Sequence, residues 1–246
     1  MALAARNITS TKKLYKSNSS DISVIIPAAG MGHRMKSYGP KGLINLYDDT
    51  TLLERQLQLI WAVYPKADIF LVVGFEAEKI RSKLDNYPVR FILNPIHKDT
   101  NVLYSIALAL QACLSKEVLI VYGDLIFNES CIRNLRGRSR VVVEDEGMMK
   151  KTEVGVCVQG KMAINFSFGL DTKWAQISYL TGNELDLFKH ICLKNETSQW
   201  LGYEALNYVL ENGGEIQAVQ QKSMKIFEID SARDLEKIPK NKLTFG

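Results

Sequence analysis

A glycine-containing loop followed by two basic residues is the part of this sequence whose residue types and spacing best suit chemistry. The segment Ile26–Met35 (IPAAGMGHRM) continues an apolar run, and Pro40-Lys41 follows shortly after it. Small side chains let backbone N–H groups approach a phosphate or a base closely, and a run of such amides forms an anion-binding concavity. Arg34 adds a forked set of donors, and Lys41 adds a compact positive charge. The segment therefore favours a loop that binds phosphates or a base.

The spacing of this loop excludes two common nucleotide-binding motifs. Its glycines do not have the GxGxxG spacing of dinucleotide-binding folds, and no Gly-Lys-Ser or Gly-Lys-Thr follows, as a P-loop would require. The alternative is a plain glycine turn with two solvated cations. A buried strand, AAG, GxR and PK nevertheless coincide within residues 22–41, and this coincidence favours the binding loop.

Two acidic residues follow apolar runs in distant parts of the chain. Asp124 comes after Val118–Tyr122, and Asp230 comes after Lys225–Ile229. Ligands of open parallel sheets gather outside the carboxyl ends of the strands, and Mg²⁺ prefers carboxylate oxygens together with phosphate oxygens. Each acid also has an ordinary explanation, because Asp124 could lie in a β-turn and Asp230 could cap a helix.

Three polar residues lie between these features. Asn94 follows a predicted strand, and Asn101 and Ser105 are one helical turn apart. Amide and hydroxyl groups in this arrangement could read the edge of a base by hydrogen bonds. A loop followed by a helix cap is the simpler interpretation of the same residues.

The elements that must position these residues alternate between strands and helices in the first half of the chain. This alternation predicts an α/β fold with a parallel sheet and right-handed crossovers. The capping box Thr51-x-x-Glu54 predicts the start of the first helix, and Asp99–Thr100 could cap the third. The predicted strands are Ile22–Pro27, Ile69–Gly74, Val89–Leu93 and Val118–Tyr122, and the predicted helices are Thr51–Tyr64, Ala77–Leu84 and Asn101–Cys113.

The second half of the chain has a different rhythm. Four strands without intervening helices are predicted first, then two helices, two strands and a last helix. We expect residues 1–20 to form a polar N-terminal arm and residues 21–246 a single domain, with an insertion at about 138–182 that covers its mouth. The predicted elements are strands Val141–Glu144, Glu153–Val158, Met162–Phe168 and Trp174–Tyr179, helices Glu184–Leu193 and Gln199–Leu210, strands Ile216–Val219 and Ile226–Ile229, and helix Ser231–Ile238.

Composition excludes several classes of protein. The 246 residues carry 31 Lys and Arg against 27 Asp and Glu, a net charge of +4 that is too small to favour nucleic-acid binding. No apolar run reaches the roughly 18 residues of a membrane span, so we expect no membrane association. Four widely spaced cysteines and no CxxC pair are typical of reduced thiols, which favours a cytoplasmic protein. A homodimer is compatible with the sequence.

Residues 24–41 resemble the signature of the nucleotidyltransferases that activate small phosphorylated compounds: a strand, A-A/G-G-x-G-x-R-M/F, and then P-K. The resemblance implies a Rossmann-like, mostly parallel twisted sheet with helices on both faces. It also implies that the loop holds the base and triphosphate of an NTP, through Ala28, Ala29, Gly30 and Gly32. Arg34 and Lys41 would act on the phosphates, and Asp124 and Asp230 would jointly bind the catalytic Mg²⁺.

The choice of nucleotide rests on a narrower resemblance. The arrangement of Asn94, Asn101 and Ser105 is similar to that of bacterial CTP:phosphocholine and phosphonate cytidylyltransferases. It implies CTP, with a small phosphorylated or phosphonate acceptor and release of pyrophosphate. Lys173 is a candidate for the acceptor phosphate, and a cage for a quaternary ammonium could form from Trp174, Tyr179, Trp200 and Tyr203. The alternatives are a sugar-1-phosphate nucleotidyltransferase that uses another NTP, a GT-A-type glycosyltransferase, and a non-catalytic nucleotide-binding module.

Overall fold

A computed structural model of the chain describes residues 22–31, 39–46, 49–144, 152–230 and 234. Several predictions lie outside these residues. They are the N-terminal arm 1–20, the loop residues Gly32 and Arg34, and the predicted helix Ser231–Ile238 apart from Asp234.

Four parallel strands form one half of the main sheet. They are β1 (Ser23–Ala28), β2 (Asp68–Val73), β3 (Arg90–Leu93) and β4 (Glu117–Val121), in the order β3-β2-β1-β4. Strand β1 lies between β2 and β4, and its β-branched residues are covered on both faces of the sheet. This arrangement confirms the α/β class predicted from the alternating pattern.

Three helices connect these strands. They are α1 (Leu52–Val63), α2 (Ala77–Lys83) and α3 (Val102–Ala112). The predicted capping box of α1 is present, because the Thr51 hydroxyl accepts from the Glu54 N–H while the Glu54 carboxylate accepts from the Thr51 N–H. The cap of α3 corrects the prediction of Asp99–Thr100: the Asn101 side chain accepts from the Val102 N–H.

The remaining strands extend the sheet with mixed directions. The main sheet has the order β3-β2-β1-β4-β9-β6-β10-β8-β7, and β9 runs antiparallel to both β4 and β6. A separate antiparallel pair joins β5 and β11. Helix α5 begins at Gly202, later than the predicted Gln199, and residues 195–197 form a separate short 3₁₀ turn. The elements are β5 (Leu125–Phe127), β6 (Arg140–Glu144), β7 (Val154–Gln159), β8 (Met162–Phe168), β9 (Thr172–Thr181), α4 (Gly182–Cys192), α5 (Gly202–Glu211), β10 (Gln217–Val219) and β11 (Ile226–Glu228).

Two apolar cores cover the two faces of the main sheet. Ile25 of β1 joins the core that contains residues of α3, α4 and α5. Its neighbours Val24 and Ile26 join the other core, which contains residues of α1 and α2. This alternation follows from the two-residue period of a strand, and it fixes the carboxyl end of β1 between two layers of helices. No helix of the described part of the chain is long and apolar enough to cross a membrane.

Candidate functional site

The carboxyl ends of β1 and β4 place the glycine loop beside Asp124. These two strands are hydrogen-bonded neighbours, and the Gly123 N–H donates to the Pro27 carbonyl at 3.2 Å. A Cβ at Gly123 would lie 2.9 Å from that carbonyl oxygen and 3.0 Å from the Ala28 Cβ. Only a glycine therefore permits this approach, which brings Asp124 to the edge of the loop.

The small sheet of β5 and β11 brings Asp230 to the same place. Glu228 pairs with Leu125, and the Ile229 N–H donates to the Asp124 carbonyl at 2.8 Å. Asp124 and Asp230, which are 106 positions apart in the sequence, are thus held together by main-chain bonds. Asp230 also donates its own N–H to the Asp234 carboxylate at 3.1 Å.

Lys41 bridges the two acids. Its Nζ lies 3.4 Å from Asp124 Oδ2 and 3.2 Å from Asp230 Oδ1. The side chain extends from the short 3₁₀ turn Lys41–Leu43, where Gly42 packs directly on Leu53. Burial alone would lower the pKa of Lys41, but attraction to Asp124 and Asp230 raises it above its ordinary value. Lys41 is therefore fully protonated at neutral pH.

Glu228 completes a cluster of three carboxylates. Asp124, Glu228 and Asp230 each offer an oxygen, and these oxygens lie within 4.8 Å of one another. Burial raises the pKa of Asp124, and Lys41 opposes the rise. Burial also raises the pKa of Glu228, and the charges on Asp124 and Asp230 raise it further. The close approach of these three carboxylates favours the binding of a cation between them.

One carboxylate oxygen of the cluster indicates that a metal ion fits there. Asp124 Oδ1 is buried and has no hydrogen-bond partner in the part of the chain that the structure describes. Buried carboxylate oxygens are normally paired, and an unpaired one beside two further acids suits a hard divalent cation such as Mg²⁺. The donor set therefore fits the metal that the resemblance implies.

Two cavities meet at the carboxylates. The first has a volume of about 300 Å³ and is lined by the glycine loop, Lys41 and Asp124. The second has a volume of about 220 Å³ and is lined by Lys173, Glu228 and Asp230, among others. The wall between them consists of residues that line both: Val102, Tyr122, Gln176 and Leu201.

The first cavity gathers most of the residues predicted for nucleotide binding, but Asn94 lies outside its lining. Asn94 is 1% exposed, and its amide donates to Thr100 Oγ1 at 3.1 Å and to Ser105 Oγ at 3.0 Å. Its Oδ1 accepts from the Ile96 N–H. Because these groups are taken, Asn94 positions Ser105 and the loop. The predicted residues that line the cavity are Ala28, Ala29, Gly30, Lys41, Asn101, Ser105 and Asp124.

The second cavity has aromatic and acidic walls. Lys173 lines it, but its Nζ lies 2.8 Å from Glu153 Oε1 and 3.8 Å from Glu228 Oε2, so its charge is already balanced. Trp174 and Tyr203 of the predicted cage line this cavity. Tyr179 corrects the prediction, because it is fully buried in the core of the opposite sheet face. Trp200 is not among the lining residues, whereas Tyr122 and Phe168 are.

Gln176 is a site residue that the sequence did not indicate. It has a left-handed backbone (φ 56°) within β9, at the point where the register with β6 shifts. Such a bulge redirects a side chain. The polar side chain of Gln176 interacts with Glu228 and opposes the rise in the Glu228 pKa. Neither glutamine nor its neighbours in the sequence carry a signal for this conformation.

Comparison with protein families decides the assignment. Residues 24–159, more than half of the chain, match the MobA-like NTP transferase domain. The chain belongs to this family. Within the MobA-like NTP transferase domain, the matched segment contains the glycine loop, Lys41 and Asp124, whereas Glu228 and Asp230 lie beyond it.

Relatives and solved structures agree on the fold of this NTP transferase domain. The chain is 32% identical over 126 residues to a bifunctional protein GlmU from Synechococcus sp. (strain JA-3-3Ab), a match that spans 51% of the chain but 20% of that protein. The CTP:phosphocholine cytidylyltransferase of Streptococcus pneumoniae superposes with a TM-score of 0.76 at 19% identity, covering 88% of this chain and 97% of that one. A UDP-glucose pyrophosphorylase bound to UDP-glucose gives 0.67 at 12% identity, covering 87% and 95%.

Proposed function

We propose that this protein transfers CMP from CTP to a small phosphorylated or phosphonate acceptor and releases pyrophosphate. One observation carries the proposal: the cluster of Lys41 and three carboxylates spans two adjacent cavities, with Lys41 and Asp124 lining the first and Glu228 and Asp230 lining the second. A transfer reaction needs two substrates in adjacent sites, with compensating charge at the point where they meet. A module that only binds a nucleotide has no need of the second cavity or of the acids between the two.

The first cavity suits the nucleotide. Ala28, Ala29 and Gly30 line it, their small side chains let the backbone approach a triphosphate closely, and Lys41 supplies a positive charge. Arg34 would add a second cation from the same loop. Asn101 and Ser105 also line this cavity, where they could meet a base or ribose.

The chemistry follows from charge. A phosphate or phosphonate oxygen is already a nucleophile at neutral pH, so the reaction requires no general base. The acceptor oxygen attacks the α-phosphorus of CTP. The bond from the α-phosphorus to the oxygen that bridges it to the β-phosphorus breaks, and pyrophosphate leaves. Asp124, Asp230 and Glu228 would hold Mg²⁺, which supplies charge neutralisation when bound. Lys41 and Arg34 would stabilise the departing pyrophosphate, and the wall between the cavities would hold the two substrates in line.

The second cavity suits an acceptor with an organic group at the end remote from its phosphate. Tyr122, Phe168, Trp174 and Tyr203 offer aromatic surface, and Glu153 and Glu228 add negative charge. Aromatic faces beside carboxylates favour a cationic or amine-bearing group. Lys173 could meet the acceptor phosphate after release from its partners Glu153 and Glu228.

A sugar-1-phosphate nucleotidyltransferase that uses another NTP is the second candidate. The fold it shares with UDP-glucose pyrophosphorylase and the sequence similarity to GlmU favour it. The preference for CTP rests on the arrangement of Asn94, Asn101 and Ser105, and the structure of the S. pneumoniae CTP:phosphocholine enzyme shares the fold.

A screen for pyrophosphate release tests the proposal. Each of the common NTPs is offered with Mg²⁺ and a panel that contains phosphocholine, aminoalkyl phosphonates, alcohol phosphates and sugar 1-phosphates. We expect release with CTP and at least one non-sugar acceptor, and none without acceptor. Release only with sugar 1-phosphates and UTP or dTTP would favour the second candidate. Absence of release with every pair would overturn the assignment of an enzyme.

A further inference from the structure

His97 has no role in the reaction proposed above, although its side chain is tightly positioned. It lies in the loop between β3 and α3, is half-buried, and lines the first cavity. Its ring fits against the backbone of Gly74, where a Cβ would lie 2.7 Å from the His97 Cβ. On its inner side, Nδ1 lies 3.3 Å from the Asn94 carbonyl oxygen. The ring is therefore held at two points.

These contacts determine the tautomer of the neutral ring. A carbonyl oxygen can only accept, so the hydrogen bond to Asn94 requires the proton on Nδ1. The second nitrogen, Nε2, then carries a lone pair and acts as an acceptor. Nε2 is buried and has no hydrogen-bond partner among residues 22–31, 39–46, 49–144, 152–230 and 234. A buried acceptor without a donor is unfavourable, and a ligand that brings a donor relieves the cost.

We propose that His97 selects the nucleobase by accepting a hydrogen bond from an exocyclic amine. The N4 amine of cytosine supplies such a donor. Uracil and thymine place a carbonyl oxygen at the corresponding position, where it would face the lone pair of Nε2 and repel it. The inference rests on the proposed function, because it assigns the base of the proposed nucleotide to the first cavity and names the group that tells CTP from UTP.

Asn94 acts in this selection without contacting the base. Its carbonyl fixes the His97 tautomer, and its side chain holds Ser105, which lines the same cavity. The buried amide that the sequence indicates as a base reader thus sets the polarity of the group that does contact the base.

Equilibrium binding tests this selection without catalysis. Dissociation constants for CTP and UTP are measured by calorimetry with Mg²⁺ and no acceptor. We expect the wild-type protein to bind CTP at least about tenfold more tightly than UTP. In His97→Phe, CTP should weaken until the two constants agree within about twofold. His97→Gln should retain a preference for CTP, because its carbonyl can accept. His190→Phe, the same change on the exposed face of α4, should behave as wild type.

A nucleotide analogue removes the dependence on a folded variant. N4,N4-dimethyl-CTP lacks both N4–H donors, and wild-type protein should bind it at least about tenfold more weakly than CTP. An unchanged CTP/UTP ratio in His97→Phe, equal binding of CTP and UTP by wild type, or tight binding of the dimethyl analogue would each overturn the assignment. Failure of the proposed function has a different signature: selective CTP binding without pyrophosphate release from any acceptor.

Discussion

The two cavities that share the carboxylate cluster are built in different ways. The first lies at the ends of adjacent parallel strands, where the small residues Ala28–Gly30 and Gly123 leave the backbone accessible, and side chains such as His97 and Asn101 complete its lining. The second is lined mainly by residues of β8, β9, α5 and β11, and its lining includes several aromatic and acidic side chains. Accessible backbone in the first cavity suits the triphosphate that all NTPs share. The side chains that line the second cavity can vary with the acceptor. Selection of the acceptor therefore depends on the second cavity, and selection of the base on the side chains of the first.

Asp124 lines the first cavity and belongs to the same carboxylate cluster as Glu228 and Asp230 of the second, so its loss should have the largest effect. Asp124→Asn keeps the shape of the residue but removes one charge from the cluster. We expect pyrophosphate release to fall at least about 10²-fold, by analogy with the loss of one preorganised electrostatic group. Asp186→Asn, on the exposed face of α4, is the matched control. Turnover at the wild-type rate in Asp124→Asn would remove the cluster from the reaction.

Replacement of Lys41 should reduce activity without a matching loss of stability. Lys41→Ala removes the cation that bridges Asp124 and Asp230, and we expect a loss of about tenfold to hundredfold in kcat. The melting temperature should change little, because Mg²⁺ can compensate the acids. Lys79→Ala removes an exposed lysine paired with Glu76 and serves as control. A collapse of the melting temperature as large as the loss of activity would show that Lys41 is a structural ion pair.

Tyr203 should affect the acceptor side alone. It lines the second cavity and contacts Phe168 edge to face, with ring centroids 5.6 Å apart. Tyr203→Ala should raise the KM for the acceptor by about tenfold, because it removes apolar contact area, and leave the Kd for CTP unchanged. Tyr208→Ala changes a tyrosine of the same helix that stacks on His190. Equal weakening of CTP and acceptor by Tyr203→Ala would mean that the cavities do not divide the substrates.

The smallest predicted effect is a change in the stability of the metal-free protein when Glu228 is replaced. Burial, Asp124 and Asp230 raise the pKa of Glu228 above its ordinary value of 4.5, so the folded, metal-free protein carries this charge at a cost. Glu228→Gln should therefore melt a few degrees higher than wild type at pH 7 without Mg²⁺, since about 1 kcal/mol corresponds to roughly 2–4 °C at this size.

The pH dependence of that difference provides its check. Wild-type Glu228 binds a proton more readily in the folded state, so the protein gains stability as the pH falls through the raised pKa toward 4.5. The advantage of Glu228→Gln should shrink over that interval. A gap that stays constant from pH 7 down to pH 4.5 would contradict the electrostatic explanation.

Local signals in the sequence predicted the parallel half of the fold well. The capping box at Thr51 and the β-branched run before Ala28 depend on near neighbours, and both are present. Strand β5 was missed because its three residues gain a partner only in β11, about a hundred positions later. That pairing is what brings Asp230 to Asp124, so the convergence of the acids could be expected only from the family resemblance.

The predicted aromatic cage shows a second way in which prediction from the sequence went wrong. Trp174 and Tyr179 are five residues apart, and an odd separation on one strand places side chains on opposite faces. The structure places Trp174 in one core and Tyr179 in the other. The period of the strand contained this information, whereas the left-handed turn at Gln176 and the contact of His97 with Gly74 depend on neighbours distant in the sequence.

The hydrogen bond from the Ile229 N–H to the Asp124 carbonyl involves main-chain atoms alone. Replacement of the carboxylates leaves this bond in place, so a variant without them retains the scaffold on which both substrates would assemble. Such an inactive variant should bind nucleotide and acceptor together without turning them over. A structure of that complex would identify the acceptor directly.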